Sequence, residues 1–239
     1  MTFRVCCMGV LTAMFGMLLL AQAPVFGEVL SGTVSVEGRM PPMGPIKMAA
    51  DPHCEMQHKD MPVLNESIVV DEENHLANVF VQVVEGLPDK EYPTPAEPAE
   101  LSQSGCMYHP RVFGIRVGQP LVVLNPDGNI HNVNGMPQEN PGFNRAMDDA
   151  TEEQTVVFEK PEPAPFPIKC DVHPWMRAYC AVLTHPYFDV SNTAGRYTID
   201  ALPPGDYVVE AWHERLGVRR KTITVAEGEP ATADFVLSR

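Results

Sequence analysis

The apolar and polar positions of this chain follow the short period of β-strands. Runs of this kind occur at Val29–Val36, Leu76–Val84, Arg111–Val117, Pro120–Leu124 and Thr155–Phe158. They are rich in β-branched residues and are bounded by clusters of Gly, Pro, Asn and Asp. No apolar pattern of helical period persists for three turns, and 24 prolines spread along the chain would interrupt most helices. We therefore predict an all-β protein.

A second group of short strands follows His185. Its members are Tyr187–Val190, Gly195–Asp200, Asp206–His213, Arg219–Val225 and Ala231–Leu237. Their regular spacing predicts a small β-sandwich over residues 184–239, after a first domain over residues 28–183 with an insertion at residues 40–103. Because about 55 residues make a thin core, we expect the second domain to pack firmly on the first.

The N-terminus has the pattern of a secretory signal peptide. Arg4 precedes an apolar run from Val5 to Ala23, and the small residues Val25 and Gly27 suit cleavage after Gly27. Residues 1–27 are then removed, the protein is periplasmic or extracellular, and no transmembrane segment remains. An uncleaved anchor is the alternative, since the apolar run is close to the minimum length of a membrane span.

The net charge of the chain limits the kinds of molecule that it can bind. The chain has 17 basic and 31 acidic residues and a formal net charge of −14. An acidic protein of this kind repels nucleic acid and acidic membrane surfaces. The expected partner is a protein with a basic docking surface.

The most distinctive group of possible metal ligands lies in the sequence CDVHPWM at residues 170–176. Cys170, His173 and Met176 place a thiol, an imidazole and a thioether on one loop, and His131 offers a second imidazole upstream. One thiolate, two imidazoles and a weak thioether are the ligands of blue-copper electron-transfer sites. The sequence therefore predicts one type 1 copper ion bound by His131, Cys170, His173 and Met176.

Cysteine pairing depends on that assignment. Cleavage of the leader leaves Cys54, Cys106, Cys170 and Cys180, which allow three full pairings in an oxidising compartment. If Cys170 is a metal ligand, it stays a free thiolate. Cys54 and Cys106 are then the natural disulfide, and Cys180 is unpaired.

Two other interpretations compete with copper at this loop. Cys170 could pair with Cys180 while Trp175 and Met176 fill a core. Zinc could bind Cys170, His173, Cys180 and His185, although their spacing departs from the finger pattern. Apart from this loop, a soft Cu(I) site could form in the methionine-rich segment, from Met40, Met43, Met48, Met56 and Met61 with His53, Cys54 and His58.

The two segments LVVLNPDGNIHNV (121–133) and PFPIKCDVHPWM (165–176) together resemble the cupredoxins. The loop spacing is closest to the amicyanin type, and the resemblance covers roughly residues 107–183. It implies a Greek-key sandwich with copper ligands His131, Cys170, His173 and Met176. It also implies a hydrogen bond from the amide of Asn132 to the thiolate and electron transfer through an exposed edge of His173. Asp171, beside the thiolate, departs from the family pattern.

The C-terminal part resembles carboxypeptidase-regulatory or transthyretin-like sandwiches, on the residues YTIDALPPGDY at 197–207. No His-x-His pair occurs in the chain, so a second copper centre of the oxidase kind is not expected. We expect an electron carrier between redox protein partners, and no enzyme. The alternatives are copper buffering or delivery, and a partner-binding module in which the copper is structural.

Overall fold

A computed structural model describes residues 27–41, 43–148 and 153–238, and its regular structure is almost entirely β-strand. The all-β prediction is confirmed. In the described part of the chain the helices are one short α-helix, α1 (Pro52–Gln57), and a 3₁₀ turn at Ser104–Cys106. None of the helices described is long and apolar enough to cross a membrane. The predicted signal peptide, apart from Gly27, lies outside the described residues.

The described strands are β1 Glu28–Val36, β2 Phe80–Glu85, β3 Ala99–Ser102, β4 Val112–Arg116, β5 Pro120–Leu124, β6 His131–Gly135, β7 Phe143–Met147, β8 Glu153–Val157, β9 Phe166–Lys169, β10 Arg177–Leu183, β11 Phe188–Val190, β12 Arg196–Leu202, β13 Gly205–His213, β14 Gly217–Val225, β15 Ala231–Thr232 and β16 Phe235–Leu237.

Strands β3 to β10 form what we call the central sandwich. One sheet has the order β4-β10-β9-β6-β7 and the other the order β3-β5-β8. Both sheets contribute to a single core, in which Ile115, Leu121, Val133 and Ile168 are fully buried. This core extends to Cys170 and Met176, so the loop of the predicted copper site is continuous with it.

The remaining strands form the terminal sandwich, and here the predicted domain boundary needs correction. Strand β1 pairs with β12, β15 and β16, and β2 pairs with β11 and β13. The sequence pattern places the N-terminal strands in the first domain, yet Leu30 and Val81 are buried in one core with Ile199 and Phe235. The physical reason is size, because the C-terminal strands alone cover too little apolar surface to form a core.

The two sandwiches pack face to face. Successive residues of β10 point to opposite faces, so Cys180 and Val182 enter the central core while Ala181 and Leu183 contact Phe80 of β2. A side chain at Gly114 would come within 2.4 Å of the Phe188 ring, which explains why glycine lies at this contact. Strands β4 and β10 of the five-stranded sheet are therefore covered by the terminal sandwich, in keeping with the expected firm packing.

Residues 45–64, within the predicted insertion, form a closed loop that we call the cap. Its ends meet through a β-bridge between Pro45 and Leu64 and a 2.8 Å hydrogen bond from Ile46 N to Val63 O. Asp51 is the N-cap of α1, accepting hydrogen bonds from the backbone N–H groups of His53 and Cys54. Cys54 forms a disulfide with Cys106, the pairing expected from the sequence, and joins the cap to the central sandwich.

Candidate metal centre

The loop 170–176 connects two neighbouring antiparallel strands. β9 and β10 pair with Arg177 opposite Lys169, so residues 170–176 form the tip of a hairpin. Hydrogen bonds from Met176 N to His173 O (2.9 Å) and from Cys170 N to Met176 O (3.3 Å) close the loop. This folding turns the side chain of His173 back toward Cys170, as the C-x2-H spacing predicts.

His131 reaches the same place from the adjacent strand. It is the first residue of β6, which pairs with β9. Its Nδ1 lies 2.9 Å from Nδ1 of His173, and Sγ of Cys170 lies 3.8 Å from the latter atom. One donor atom from each of these residues falls within 4.8 Å of the others, and the side chains are 0 to 2% exposed. The structure thus brings together three of the four ligands predicted from sequence.

Backbone N–H groups surround the sulfur of Cys170. His173 N lies 3.3 Å and Asn132 N 3.5 Å from Sγ, so both donate to it. Burial raises the pKa of this thiol, but the hydrogen bonds from His131, Asn132 and His173 outweigh burial and lower it. The site therefore favours the thiolate, the form of cysteine that binds metals.

The side chain of Asn132 adds a second link between the strands. Its Oδ1 accepts hydrogen bonds from Asp171 N (2.6 Å) and from the Cys170 thiol (3.3 Å). The contact of the Asn132 amide with the thiolate, implied by the cupredoxin resemblance, is made by the backbone N–H. The carboxylate of Asp171 is held by the side-chain amides of Asn132, Asn134 and Asn144, which explains how a charge is tolerated beside the sulfur.

Met176 is fully buried in the core cluster that contains Cys170. Its backbone closes the loop through hydrogen bonds with Cys170 and His173. The assignment of its sulfur as a weak axial ligand stays a prediction.

Each of the two histidines also contacts a carboxylate through its outer nitrogen. Nε2 of His131 lies 3.0 Å from Oδ2 of Asp127, and Nε2 of His173 lies 3.0 Å from Oδ2 of Asp51. A carboxylate can only accept, so both Nε2 atoms are donors in these contacts. The 2.9 Å contact between the two Nδ1 atoms then needs one further proton, which makes one imidazole cationic.

His131 is the cationic partner. Burial lowers the pKa of His131, but hydrogen bonds with Asp127 and Cys170 outweigh burial and raise it to about 9. Hydrogen bonding from His173 lowers the pKa of Asp51 far below its usual range, although burial opposes the shift. The carboxylates of Asp51 and Asp127 thus place negative charge beside the centre, a setting suited to a metal cation.

The expected exposed edge of His173 is wrong. This side chain is 1% exposed, because the cap covers it with Asp51 and with Sγ of Cys54, which lies 3.8 Å from its Nε2. Its ring also contacts that of Trp175, with the centroids 5.0 Å apart. Trp175 is only partly buried, and its Nε1 donates to the carbonyl oxygen of Cys106 (3.0 Å).

The sequence interpretation missed Asp51 and Asp127. Asp127 precedes His131 by four residues in the turn between β5 and β6, and this short spacing could have indicated a contact between the two side chains. Asp51 lies 122 residues from His173 and has no such signal.

The residues of the competing sites are not brought together. Cys180 is buried in the core, its Sγ contacts the carbonyl oxygen of Ala181, and it joins no potential metal group within the described ranges. His185 also belongs to none of these groups.

The methionine-rich segment is dispersed as well. Met40 and Met43 pack on the terminal core, and Met48 packs beside the disulfide. Met56 and Met61 are exposed to solvent. The structure therefore does not assemble the soft Cu(I) site considered from sequence.

No protein-family model and no curated protein sequence matches this chain. Among solved structures it is similar to a copper-containing nitrite reductase from Thermus scotoductus, at 21% identity and a TM-score of 0.33 over 43% of this chain and 25% of that chain. It is also similar to a purple cupredoxin from Nitrosopumilus maritimus, at 21% identity and a TM-score of 0.29 over 36% of this chain and 99% of that one. A Cu(I) structure of an amicyanin mutant is similar at 16% identity and a TM-score of 0.32, over 42% of this chain and all of the other. The chain spans a quarter of the length of the nitrite reductase chain.

Proposed function

We propose that this protein binds one type 1 copper ion and carries single electrons between redox partners outside the cytoplasm. The observation that supports this most directly is the convergence of His131 Nδ1, Cys170 Sγ and His173 Nδ1 within 4.8 Å in a buried site. One thiolate with two imidazoles is the donor set of blue-copper centres. Copper bound there supplies a one-electron couple.

The protein part of the centre is arranged to keep one geometry. His131 begins β6, and Cys170 and His173 lie on the loop after β9, which pairs with β6 in the same sheet. Cys170 also receives two backbone hydrogen bonds. Met176 is buried beside Cys170 in the core and is proposed as the fourth ligand. A fixed environment suits electron transfer, since a site that changes little between oxidation states reorganises little.

A carrier is favoured over an enzyme by the enclosure of the centre. The three donor side chains are at most 2% exposed, so a substrate has no open approach to them. In the ranges that the structure describes, every group of three possible metal-ligand side chains contains His131 or His173, and the two groups besides the centre each include a cysteine of the Cys54–Cys106 disulfide, which has no free thiol. A second copper centre of the kind that enzymes use has no support there.

Trp175 provides a contact between the buried centre and the surface. Its ring lies against that of His173 and is partly exposed. In this proposal the electron leaves through Trp175 rather than through an edge of His173. The partner is a redox protein with a basic surface, in keeping with the net charge of −14.

The proposed compartment is the periplasm or the exterior. The disulfide between Cys54 and Cys106 is consistent with an oxidising compartment, where such bonds persist. The predicted signal peptide over residues 1–27 leads to the same proposal.

The test is the absorption spectrum of the mature protein loaded with copper. We expect an intense visible thiolate-to-copper band that Cys170→Ser abolishes. Cys180→Ser is the matched control, because Cys180 is also a buried free thiol of the central core, and it should keep the band. A protein that binds zinc tightly and shows no such band with copper contradicts the proposal, as does a band that survives Cys170→Ser.

A further inference from the structure

The two carboxylates that contact the predicted ligand histidines are arranged alike. Asp127 accepts hydrogen bonds from the backbone N–H groups of Gly105 (2.7 Å) and Cys106 (2.6 Å), besides its contact with His131. Asp51 accepts from the N–H groups of His53 (2.8 Å) and Cys54 (3.2 Å), besides its contact with His173. Each carboxylate is therefore fixed by a turn that contains one cysteine of the disulfide.

The disulfide joins those two turns directly. Cys54 belongs to α1 in the cap, and Cys106 to the 3₁₀ turn of the central sandwich. Asn129 adds a link, since its side-chain amide lies 3.1 Å from Oδ2 of Asp51 and 3.7 Å from Sγ of Cys54. The disulfide and the Asn129 amide thus hold the turns of Asp51 and Asp127 together.

We infer that Asp51 and Asp127 are a pair of positioning residues, which turn the Nδ1 atoms of His173 and His131 toward Cys170 and are held in place by the Cys54–Cys106 disulfide. Each carboxylate accepts the Nε2 proton of its histidine, which leaves Nδ1 as the atom that faces the centre. Carboxylate partners of this kind fix the orientation and tautomer of metal-bound histidines and raise their basicity. This inference rests on the proposed function, because it takes the two histidines as metal ligands.

The arrangement also assigns a role to the cap. The stretch that bears Asp51 lies between β1 and β2, outside the strands of the central sandwich, and it contributes a carboxylate 122 residues away from the histidine it contacts. The cap therefore completes the metal centre rather than merely covering it.

Asp51→Asn and Asp127→Asn test the pair. Asparagine keeps the shape of the side chain and is an equally good N-cap, so Asp51→Asn removes the negative charge that faces His173 while α1 is retained. Asp71→Asn is the matched control, since Asp71 also contacts a histidine four residues away (His75 Nδ1, 2.8 Å) and accepts backbone hydrogen bonds, but far from the centre.

The first readout needs no copper. In the metal-free wild type, long-range ¹H–¹⁵N spectra of the imidazoles should show His131 and His173 protonated at Nε2. Asp51→Asn should shift the signals of His173 first, and Asp127→Asn those of His131. Imidazole signals that stay at their wild-type positions in both variants overturn the inference, whether or not the protein binds copper.

The second readout is the affinity for copper, measured by competition with a chelator. Each variant should bind copper about 10–100-fold more weakly than the wild type, and Asp71→Asn should bind like the wild type. Cys54→Ser with Cys106→Ser releases both turns and should broaden the signals of both histidines. Wild-type affinity in both aspartate variants contradicts the positioning role, whereas failure of the wild type to bind copper refutes the proposed function alone. Unchanged histidine signals in the double serine variant contradict the role of the disulfide.

Discussion

The central and terminal sandwiches place buried histidines in opposite surroundings. In the central sandwich, His131 contacts Asp127 and Cys170, and the hydrogen bonds raise its pKa to about 9 despite burial. In the terminal sandwich, His213 is equally buried, and burial together with the nearby cations Arg111 and Arg215 lowers its pKa to about 4. Burial by itself favours neutral imidazole, and only a negative neighbour reverses that preference.

The difference in surroundings distinguishes His213, a structural histidine, from His131, a candidate metal ligand. His213 is neutral and accepts a hydrogen bond from the backbone N–H of Arg215 (3.2 Å), with cations nearby that disfavour a further positive charge. His131 and His173 lie among two carboxylates and a thiol whose pKa is lowered. A cation is therefore stabilised in the central sandwich and disfavoured beside His213.

The largest effect on folding is expected from Leu30→Ala, which tests whether the N-terminal strand belongs to the terminal core. Leu30 is fully buried there, so its truncation should lower the free energy of unfolding by about 2–5 kcal/mol. The copper absorption band should not change, since Leu30 lies in the other sandwich. Chemical denaturation of the variant and of Val236→Ala, an exposed position in the same sandwich that should cost under about 0.5 kcal/mol, measures the difference. A loss no larger than that of Val236→Ala would show that β1 is not part of this core.

A smaller effect is expected from acid acting on His213. Its pKa is about 4 in the folded protein and near 6.5 when unfolded, so the unfolded state binds the proton first as the pH falls. Stability is therefore full above pH 6.5 and decreases between pH 6.5 and 4, by about 2–3 kcal/mol from this residue.

The variant His213→Gln should weaken this pH dependence. Urea denaturation of the variant and of the wild type at pH 7 and pH 4.5 measures the difference. If His213→Gln loses as much stability in acid as the wild type does, the neutral setting assigned to His213 is incorrect.

The smallest change to the structure is expected from Met176→Gln, which tests whether Met176 is the fourth ligand. Met176 packs beside Cys170 and closes the loop through its backbone, so the fold and the visible colour should persist. The reduction potential should decrease, because the weak axial ligand tunes it. Voltammetry measures the potential, and a value equal to that of the wild type removes Met176 from the centre.

Much of the secondary structure and of the site was predictable because it is encoded locally. The predicted strand at Pro120–Leu124 coincides with β5, and the other predicted strands overlap observed ones, because the period of a strand is visible within a few residues. Cys170 and His173 lie on one loop of fixed spacing. His131, the histidine proposed from a separate segment, lies 2.9 Å from His173.

The features that only the tertiary structure decided are contacts between residues far apart in the chain. Thr33 N donates to Asp234 across 201 positions, and Asp51 contacts His173 across 122. Alternating apolar and polar residues indicate that a strand has a buried face, but they do not identify the strand that covers this face. For this reason the sequence could not show that β1 and β2 belong to the terminal sandwich. The sequence by itself determined the all-β class and pointed to His131, Cys170 and His173, which the fold brings together, since both follow from local pattern and donor chemistry. The folded chain decided that the cap buries His173 and supplies Asp51, because that contact exists only once the disulfide and the sheets bring the cap onto the loop.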